Sequence, residues 1–295
     1  MTVSSLLRVG RITAGVLGFS VGSAGVLGAV VSLEAARARG TARRSYGVII
    51  PRSEGTFGAD EATSGEPLHL SMLGDSLAVG VGAETTEQTV GGRLAEALAV
   101  RLGRPVTLHS VAAVGADSQD LNGQVASLAR HHVRTDVAVI VIGSNDTLGL
   151  ANMTSAVRRL YRAVVDLRGQ GAHVIVATCP DLGTLRPLFQ PLRFLARRFS
   201  RRLAVAQTIV VVRAGGRAVP LGDTLGPIFW RRPKTMFSAD HFHPSPLGYA
   251  RAAAVLFPSV LAAAERGRIP QAGSATPNPQ NTTQPDSQTL TEARP

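Results

Sequence analysis

Residues 137–142 (VAVIVI) constrain this chain more than any other stretch. Six consecutive apolar residues, mostly β-branched and without polar alternation, describe a strand buried on both faces. Such strands belong to parallel sheets covered by helices on either side. The surrounding sequence supplies the partners. Strands are predicted at 68–73 (LHLSML), 106–111, 173–178 and 217–221. Helical spacing runs through 90–102 (Leu94, Leu98, Leu102), 120–130 (Leu121, Val125, Leu128), 154–168, 187–213 and 246–266. Strand–helix alternation predicts an α/β fold: a three-layer, doubly wound parallel sheet of about five strands with right-handed crossovers. In such sheets ligands bind beyond the carboxyl ends of the strands, so chemical motifs should follow strands directly.

With 295 residues and 44% hydrophobic content, the chain can bury a sizeable core and is not wholly disordered. Its one cysteine, Cys179, excludes an intrachain disulfide framework and a CxxC zinc site. The net charge of +11 is almost entirely arginine. Residues 1–44 carry six arginines against Glu34, the stretch 267–295 is neutral, and the middle is mildly basic. Aromatic residues are only 4%, so no nucleic-acid partner is expected.

Residues 12–33 are uncharged. At 1.5 Å per residue they span about 33 Å as a helix, enough to cross a hydrocarbon core of roughly 30 Å. An uncleaved anchor is favoured by that length. A signal peptide cleaved after Ala36-Arg37-Ala38 is the competing reading. The chain therefore divides into a basic N-terminus (1–11), a membrane-spanning or signal helix (12–33), a tether (34–66) with a short strand at 46–51, a folded domain (67–266) and a polar, disordered tail (267–295). Either reading of 12–33 places the domain at a membrane or outside the cytoplasm. The arginines after the span argue for the opposite orientation by the positive-inside rule. Gly18-Phe19-Ser20-Val21-Gly22 matches the G-x-S-x-G pattern, but within an apolar span it is read as a chance match.

Three motifs meet the demand for chemistry after strands, Gly74-Asp75-Ser76-Leu77, Gly115-Ala116-Asp117-Ser118 and Gly143-Ser144-Asn145-Asp146, and a fourth, Asp240-His241-Phe242-His243-Pro244, stands just before the final helix. In this order, over roughly 67–266, they resemble the SGNH, or GDSL, hydrolase family. The resemblance implies a flavodoxin-like α/β fold and an oxyanion hole formed by the Ser76 N–H, the Gly115 N–H and the Asn145 side chain. It also implies a carboxylic ester substrate and neither metal nor organic cofactor. Relatives in this family include lipases, thioesterases, polysaccharide acetyl-esterases and acyltransferases, so the substrate stays open. Acyl transfer to an envelope polysaccharide or its deacetylation, and a non-catalytic membrane-tethered binding module, are the alternatives.

The residue chemistry agrees. A serine hydroxyl needs a neighbouring base, histidine titrates near working pH, and its second nitrogen needs an acceptor. Ser76 reads as nucleophile, His243 as base and Asp240 as orienting acid. Rival readings are blander: Ser76 or Asn145 as helix caps, Gly115 as a turn, Asp240 and His243 as a surface pair, His241 as the base. Asp75 and Asp146 are expected to make structural hydrogen bonds. His131-His132 reads as a solvated helix end. The basic face of 193–202 reads as solvated, with anionic headgroups as the alternative contact. Residues 222–239, with the only tryptophan, Trp230, read as a loop on the rim of an acyl pocket.

Overall fold

The computed structural model describes residues 50–58, 65–267 and 269. Among these, six strands form one sheet: β1 (Gly55–Phe57), β2 (Leu68–Gly74), β3 (Val106–Ser110), β4 (Val137–Val141), β5 (His173–Ala177) and β6 (Arg217–Val219). Their order is β1-β3-β2-β4-β5-β6. Only the β1–β3 pair is antiparallel. From β2 the chain moves outward to β3, then crosses back over β2 to β4 and continues the other way. That reversal opens a crevice at the carboxyl ends of β2 and β4, where open α/β sheets hold ligands.

The helices are α1 (Ser76–Val79), α2 (Val90–Leu102), α3 (Leu121–Arg130), α4 (Ser144–Leu148), α5 (Met153–Gly169), α6 (Leu192–Arg213), α7 (Leu221–Arg231), α8 (Pro233–Met236) and α9 (Pro246–Ala264). The central strand explains the layering. Val137, Val139 and Val141 of β4 face a core shared with Leu94 and Leu98 of α2 and Leu256 and Val260 of α9. Ala138, Ile140 and the following Ile142 face Leu128 of α3, Leu160 and Val164 of α5, and Val211 of α6. Every residue of β4 is buried. Each Val, Ile or Leu so placed contributes roughly 1.5–3 kcal/mol, which outweighs the lack of any alternation.

Local chemistry sets the helix ends. The Thr89 hydroxyl accepts from the Gly92 N–H to start α2, and Ser245 does the same from Gly248 with Pro246 in the first turn of α9. Among the described residues α9 is one helix long and apolar enough to cross a membrane. Here its inner face, including Tyr249 and Leu256, belongs to the sheet-covering core.

Several expectations change. The sheet has six strands, because Gly55–Phe57, inside the predicted tether, pairs along β3. Three residues, one of them glycine, are too few to show a period. Residues 222–239 hold α7 and α8 in place of a loop. Gly222, Gly226 and Pro227 read as breakers, yet packing of Leu225, Phe229 and Met236 in a shared cluster holds the helical backbone around them. Of the strand expected at 46–51, residues 46–49 lie outside the described residues, and Ile50 and Pro51 are not in a strand. The basic N-terminus, the segment 12–33 with its G-x-S-x-G match, and nearly all of the tail also lie outside them.

Candidate active site

Strand β2 ends at Gly74, and the next residue caps a helix. The Asp75 Oδ1 accepts from the Leu77 N–H at 2.9 Å, so the aspartate, not the serine, is the N-cap of α1. Ser76 is thereby the first helical residue, and its hydroxyl is free for another partner. Gly74 is required here. Its φ is +124°, and a Cβ would lie 1.9 Å from the Val141 carbonyl oxygen.

The partner of Ser76 comes from far along the chain. Its Oγ lies 3.0 Å from His243 Nε2. On the other side of the ring, Nδ1 is 2.6 Å from Asp240 Oδ2. The second carboxylate oxygen, Oδ1, accepts from the Ser238 hydroxyl at 2.7 Å and from the Phe242 and His243 N–H groups at 2.9 Å each. Burial alone would push the Asp240 carboxyl up. The hydrogen bonds from the His243 ring, Phe242 N–H, Ser238 and His243 N–H outweigh that and hold it well below the usual carboxylate range. A tight loop makes this possible, with Ser238 N–H donating to the His243 carbonyl at 2.8 Å. His243 is only 2% exposed and packs edge-on against Phe242.

Asn145 sits in the first turn of α4, across the crevice from Ser76, and both line one cavity. Its Nδ2 donates to the Ala116 carbonyl at 2.7 Å. That bond uses one of two amide hydrogens and ties Asn145 to the loop after β3. Gly115 lies in that loop and is exposed. A Cβ there would meet nothing within 4 Å, so its φ of +83°, and not close approach, is what calls for glycine. The Ser76 N–H, in the first turn of a helix, has no intrahelical acceptor.

The rival readings separate clearly. The Asp146 carboxylate accepts from the Ser118 hydroxyl at 2.6 Å and from its N–H, pinning the loop after β3. Burial raises the Asp146 carboxyl. His241 is exposed and stands at φ +56°. Cys179 is buried, and burial pushes its thiol far up, so it is not poised as a thiolate nucleophile. No cluster of three His, Cys, Asp or Glu able to hold a metal occurs among the described residues.

Asp75 is the least expected member of the site. It is fully buried, and burial pushes its carboxyl up to about 7, against the Leu77 N–H bond and the nearness of His243. The Ser144 hydroxyl beside it also holds the carboxyl down, and apart from each other Asp75 Oδ2 and Ser144 Oγ are buried without a partner.

Two glutamines escape a reading by motif. Gln124 of α3 exchanges two hydrogen bonds with Gly74. Gln207 of α6 accepts from the Cys179 N–H at 2.7 Å and donates to the Ile142 carbonyl at 3.0 Å. Each amide finishes the hydrogen bonding of a strand end beside the site. The available signal was a polar residue inside an apolar stripe: Leu121-Gln124-Leu128 and Leu203-Gln207-Val211.

The cavity beside Ser76 and His243 measures about 90 Å³. Its walls are apolar, with Leu182, Leu185, Leu221, Leu225, Phe229 and Phe237 among them. The segment expected at a pocket rim thus contributes wall residues from α7.

Residues 72–251 match the GDSL-like Lipase/Acylhydrolase family. The GDSL-like esterase Rv1075c of Mycobacterium tuberculosis is 45% identical over 190 residues, covering 64% of this chain and 60% of that protein. The chain thus spans about three fifths of that relative's length. Among solved structures, TesA superposes with a TM-score of 0.53 at 20% identity, covering 66% of this chain and 99% of its own. A lipase/acylhydrolase from Enterococcus faecalis gives 0.51 at 18% identity, covering 70% and 100%. The two structures establish a shared fold.

Proposed function

The chain belongs to the GDSL-like lipase/acylhydrolase family, and on that premise we propose that it is a serine-dependent carboxylic ester hydrolase working through an acyl-enzyme on Ser76. One observation carries this reading: Ser76 Oγ, the His243 ring and the Asp240 carboxylate stand in a hydrogen-bonded line of 3.0 and 2.6 Å.

His243 Nε2 takes the Ser76 proton as Oγ attacks the ester carbonyl. Asp240 stays ionised, fixes the tautomer and stabilises the imidazolium. The carbonyl oxygen gains negative charge between the Ser76 N–H, the remaining Asn145 amide hydrogen and the Gly115 N–H. Collapse breaks the ester C–O bond, and His243 returns the proton to the leaving alcohol. Water then attacks the acyl-enzyme with His243 again as base, which releases the acid and regenerates Ser76. No step requires a cofactor. The apolar cavity takes the acyl group, which favours small or lipid-like aliphatic esters over charged ones. The segment 12–33 holds the enzyme at the cell envelope, with the domain outside the cytoplasm.

The test is turnover of the full chain on p-nitrophenyl esters of graded acyl length, beside Ser76→Ala. Hydrolysis by the wild type and its loss in the variant are expected; full turnover by the variant would overturn the nucleophile. Adding a polysaccharide acceptor separates hydrolysis from acyl transfer. A reporter fused after residue 45 reads the orientation, and a cytoplasmic signal refutes the envelope placement.

A further inference from the structure

Within the folded domain, two segments carry basic residues without an acid among them. Segments 186–202 and 231–234 contain nine basic residues and no acid. They meet at the amino end of α6 and the carboxyl end of α7, where the Arg186 guanidinium sits 4.5 Å and that of Arg193 5.8 Å from the Trp230 ring centre. Arg197 and Arg201 have acidic partners in Asp181 and Asp223. Arg198, Arg202, Arg231 and Arg232 have none among the described residues.

The same face is apolar as well. Phe189 is 71% exposed and Phe194 59%. Along the outer side of α6, Val205, Ile209 and Val212 follow at helical spacing and are also exposed. The opposite side of α6, with Leu203, Gln207 and Val211, is buried against the sheet. A 22-residue helix therefore carries its second apolar stripe outward, flanked by arginines. A wholly solvated face gains nothing from exposed Phe and Val. Arginine stems can lie along an apolar surface while their heads reach phosphate. An exposed apolar stripe of Phe194, Val205, Ile209 and Val212 flanked by arginines, with Phe189 and Trp230 beside it on neighbouring segments, is the composition of an element lying in a membrane interface.

We infer that the outer face of α6, with Phe189 and Trp230, docks onto an anionic lipid surface. The uncharged run at 12–33 would bring the domain to such a surface. A nucleic acid would meet the arginines but leave Phe189, Phe194, Val205, Ile209 and Val212 without a partner, so acyl chains fit the face better. Each basic residue near an anionic leaflet raises affinity about fivefold. The docked face borders the cavity of the proposed ester site through Asp181, Thr184 and Gly226, which line both the cavity and the depression under Trp230. The inference does not depend on the chemistry proposed there.

Trp230 is the only tryptophan, so it reports on this face alone. The experiment is Trp230 fluorescence of the full chain reconstituted in phosphatidylcholine vesicles, with or without one third phosphatidylglycerol, using acyl chains brominated near the headgroup. Expected results are quenching in the anionic vesicles, at least a threefold weaker effect in the zwitterionic ones, and reversal by 1 M salt, where the screening length falls to about 3 Å. Arg198→Glu with Arg202→Glu should reduce quenching to the zwitterionic level while turnover of a soluble p-nitrophenyl ester stays unchanged, which also shows that the variant is folded. Equal, weak quenching in both vesicle types overturns the inference. So does quenching that survives charge reversal. A Trp230 response to a single-stranded oligonucleotide without one to anionic vesicles assigns the face to nucleic acid. A concentration-dependent dimer abolished by Val205→Arg, with no quenching, assigns it to a second copy. Loss of ester turnover in wild type with quenching intact would fail the ester reading and leave this one standing.

Discussion

Gln124 completes the end of strand β2. Its Nε2 donates to the Gly74 carbonyl at 2.9 Å, and its Oε1 accepts from the Gly74 N–H at 2.8 Å. On the β3 side, where the ladder ends at Ser110, the amide supplies the Gly74 N–H with its acceptor and shares the Gly74 carbonyl with the Ala113 N–H, two residues before Ser76. It holds the turn that aims the hydroxyl at His243.

Gln124→Met keeps the volume and deletes the amide. The buried Gly74 N–H then loses its partner, at about 1–3 kcal/mol, while the Gly74 carbonyl keeps the Ala113 N–H at 3.1 Å. The expected outcome is a thermal midpoint lower by roughly 2–10 °C together with reduced turnover, as Ser76 loses its aim. Calorimetry beside ester hydrolysis checks it. An unchanged midpoint would mean that water or a neighbouring residue replaces the amide.

Gly74→Ala and Gly115→Ala separate two reasons for glycine. At Gly74 the new Cβ meets the Val141 carbonyl 1.9 Å away, so the ladder between β2 and β4 must open. We expect a loss of more than about 4 kcal/mol and little soluble protein. At Gly115 the space is empty and only the left-handed backbone opposes the change, at roughly 1–2 kcal/mol. Urea midpoints of the two variants should differ accordingly, and equal values would show the Gly74 contact to be relieved cheaply.

Asn145→Ala and Asp240→Asn should differ in size. Losing one oxyanion donor costs about 2.7–4 kcal/mol, or 10²–10³-fold in kcat. Replacing the orienting carboxylate lets the wrong tautomer form and costs about 10⁴-fold. Single-turnover rates on one ester rank the two. An Asn145 variant with wild-type rates would remove it from the proposed hole.

Asp75 and Asp240 give pH dependences of opposite sign. Burial raises the Asp75 carboxyl to about 7, against about 3.9 in an unfolded chain. Between those values the unfolded chain has lost a proton that the fold keeps. The contribution of Asp75 is therefore whole below pH ~4, declines as pH rises towards 7 and is flat above. Asp146 adds in the same direction. Asp240 is held low by its hydrogen bonds, so its contribution is present above pH ~4 and is lost as pH falls below it. Asp75→Asn keeps an oxygen for the Leu77 N–H and cannot ionise. Its melting temperature should fall less between pH 5 and pH 7 than that of the wild type, with the acid limb unchanged. Parallel curves above pH 5 would show that Asp75 does not titrate in that range.

Leu225→Trp tests the acyl pocket. Leu225 lines the cavity from α7 and lies outside the Ser76–His243–Asp240 line. Filling it should lower kcat/KM for octanoyl esters at least tenfold relative to acetyl esters, because one lost methylene contact in an apolar pocket is already worth about 1–3 kcal/mol. An unchanged chain-length profile would place the acyl group elsewhere.

Much of this protein was legible in its residues. A strand such as VAVIVI can be satisfied only by helices on both faces, and that one requirement implies the sheet, its parallel sense and its binding edge. The four motifs after strands and before the last helix named Ser76, Asn145, Asp240 and His243, because the polar residues there stand next to strong local signals. The short edge strand Gly55–Phe57 and the helices at 221–236 were not legible. Three residues have no period, and Gly222, Gly226 and Pro227 are overruled by burial that local propensity does not contain. Tertiary structure alone decided the rest. It joined Ser76 to His243 across 167 positions, gave the helix cap to Asp75, and closed two strand ends with glutamines. Hydrogen bonds between distant residues leave no period in a sequence; they exist only once packing has brought donor and acceptor together and excluded water from both.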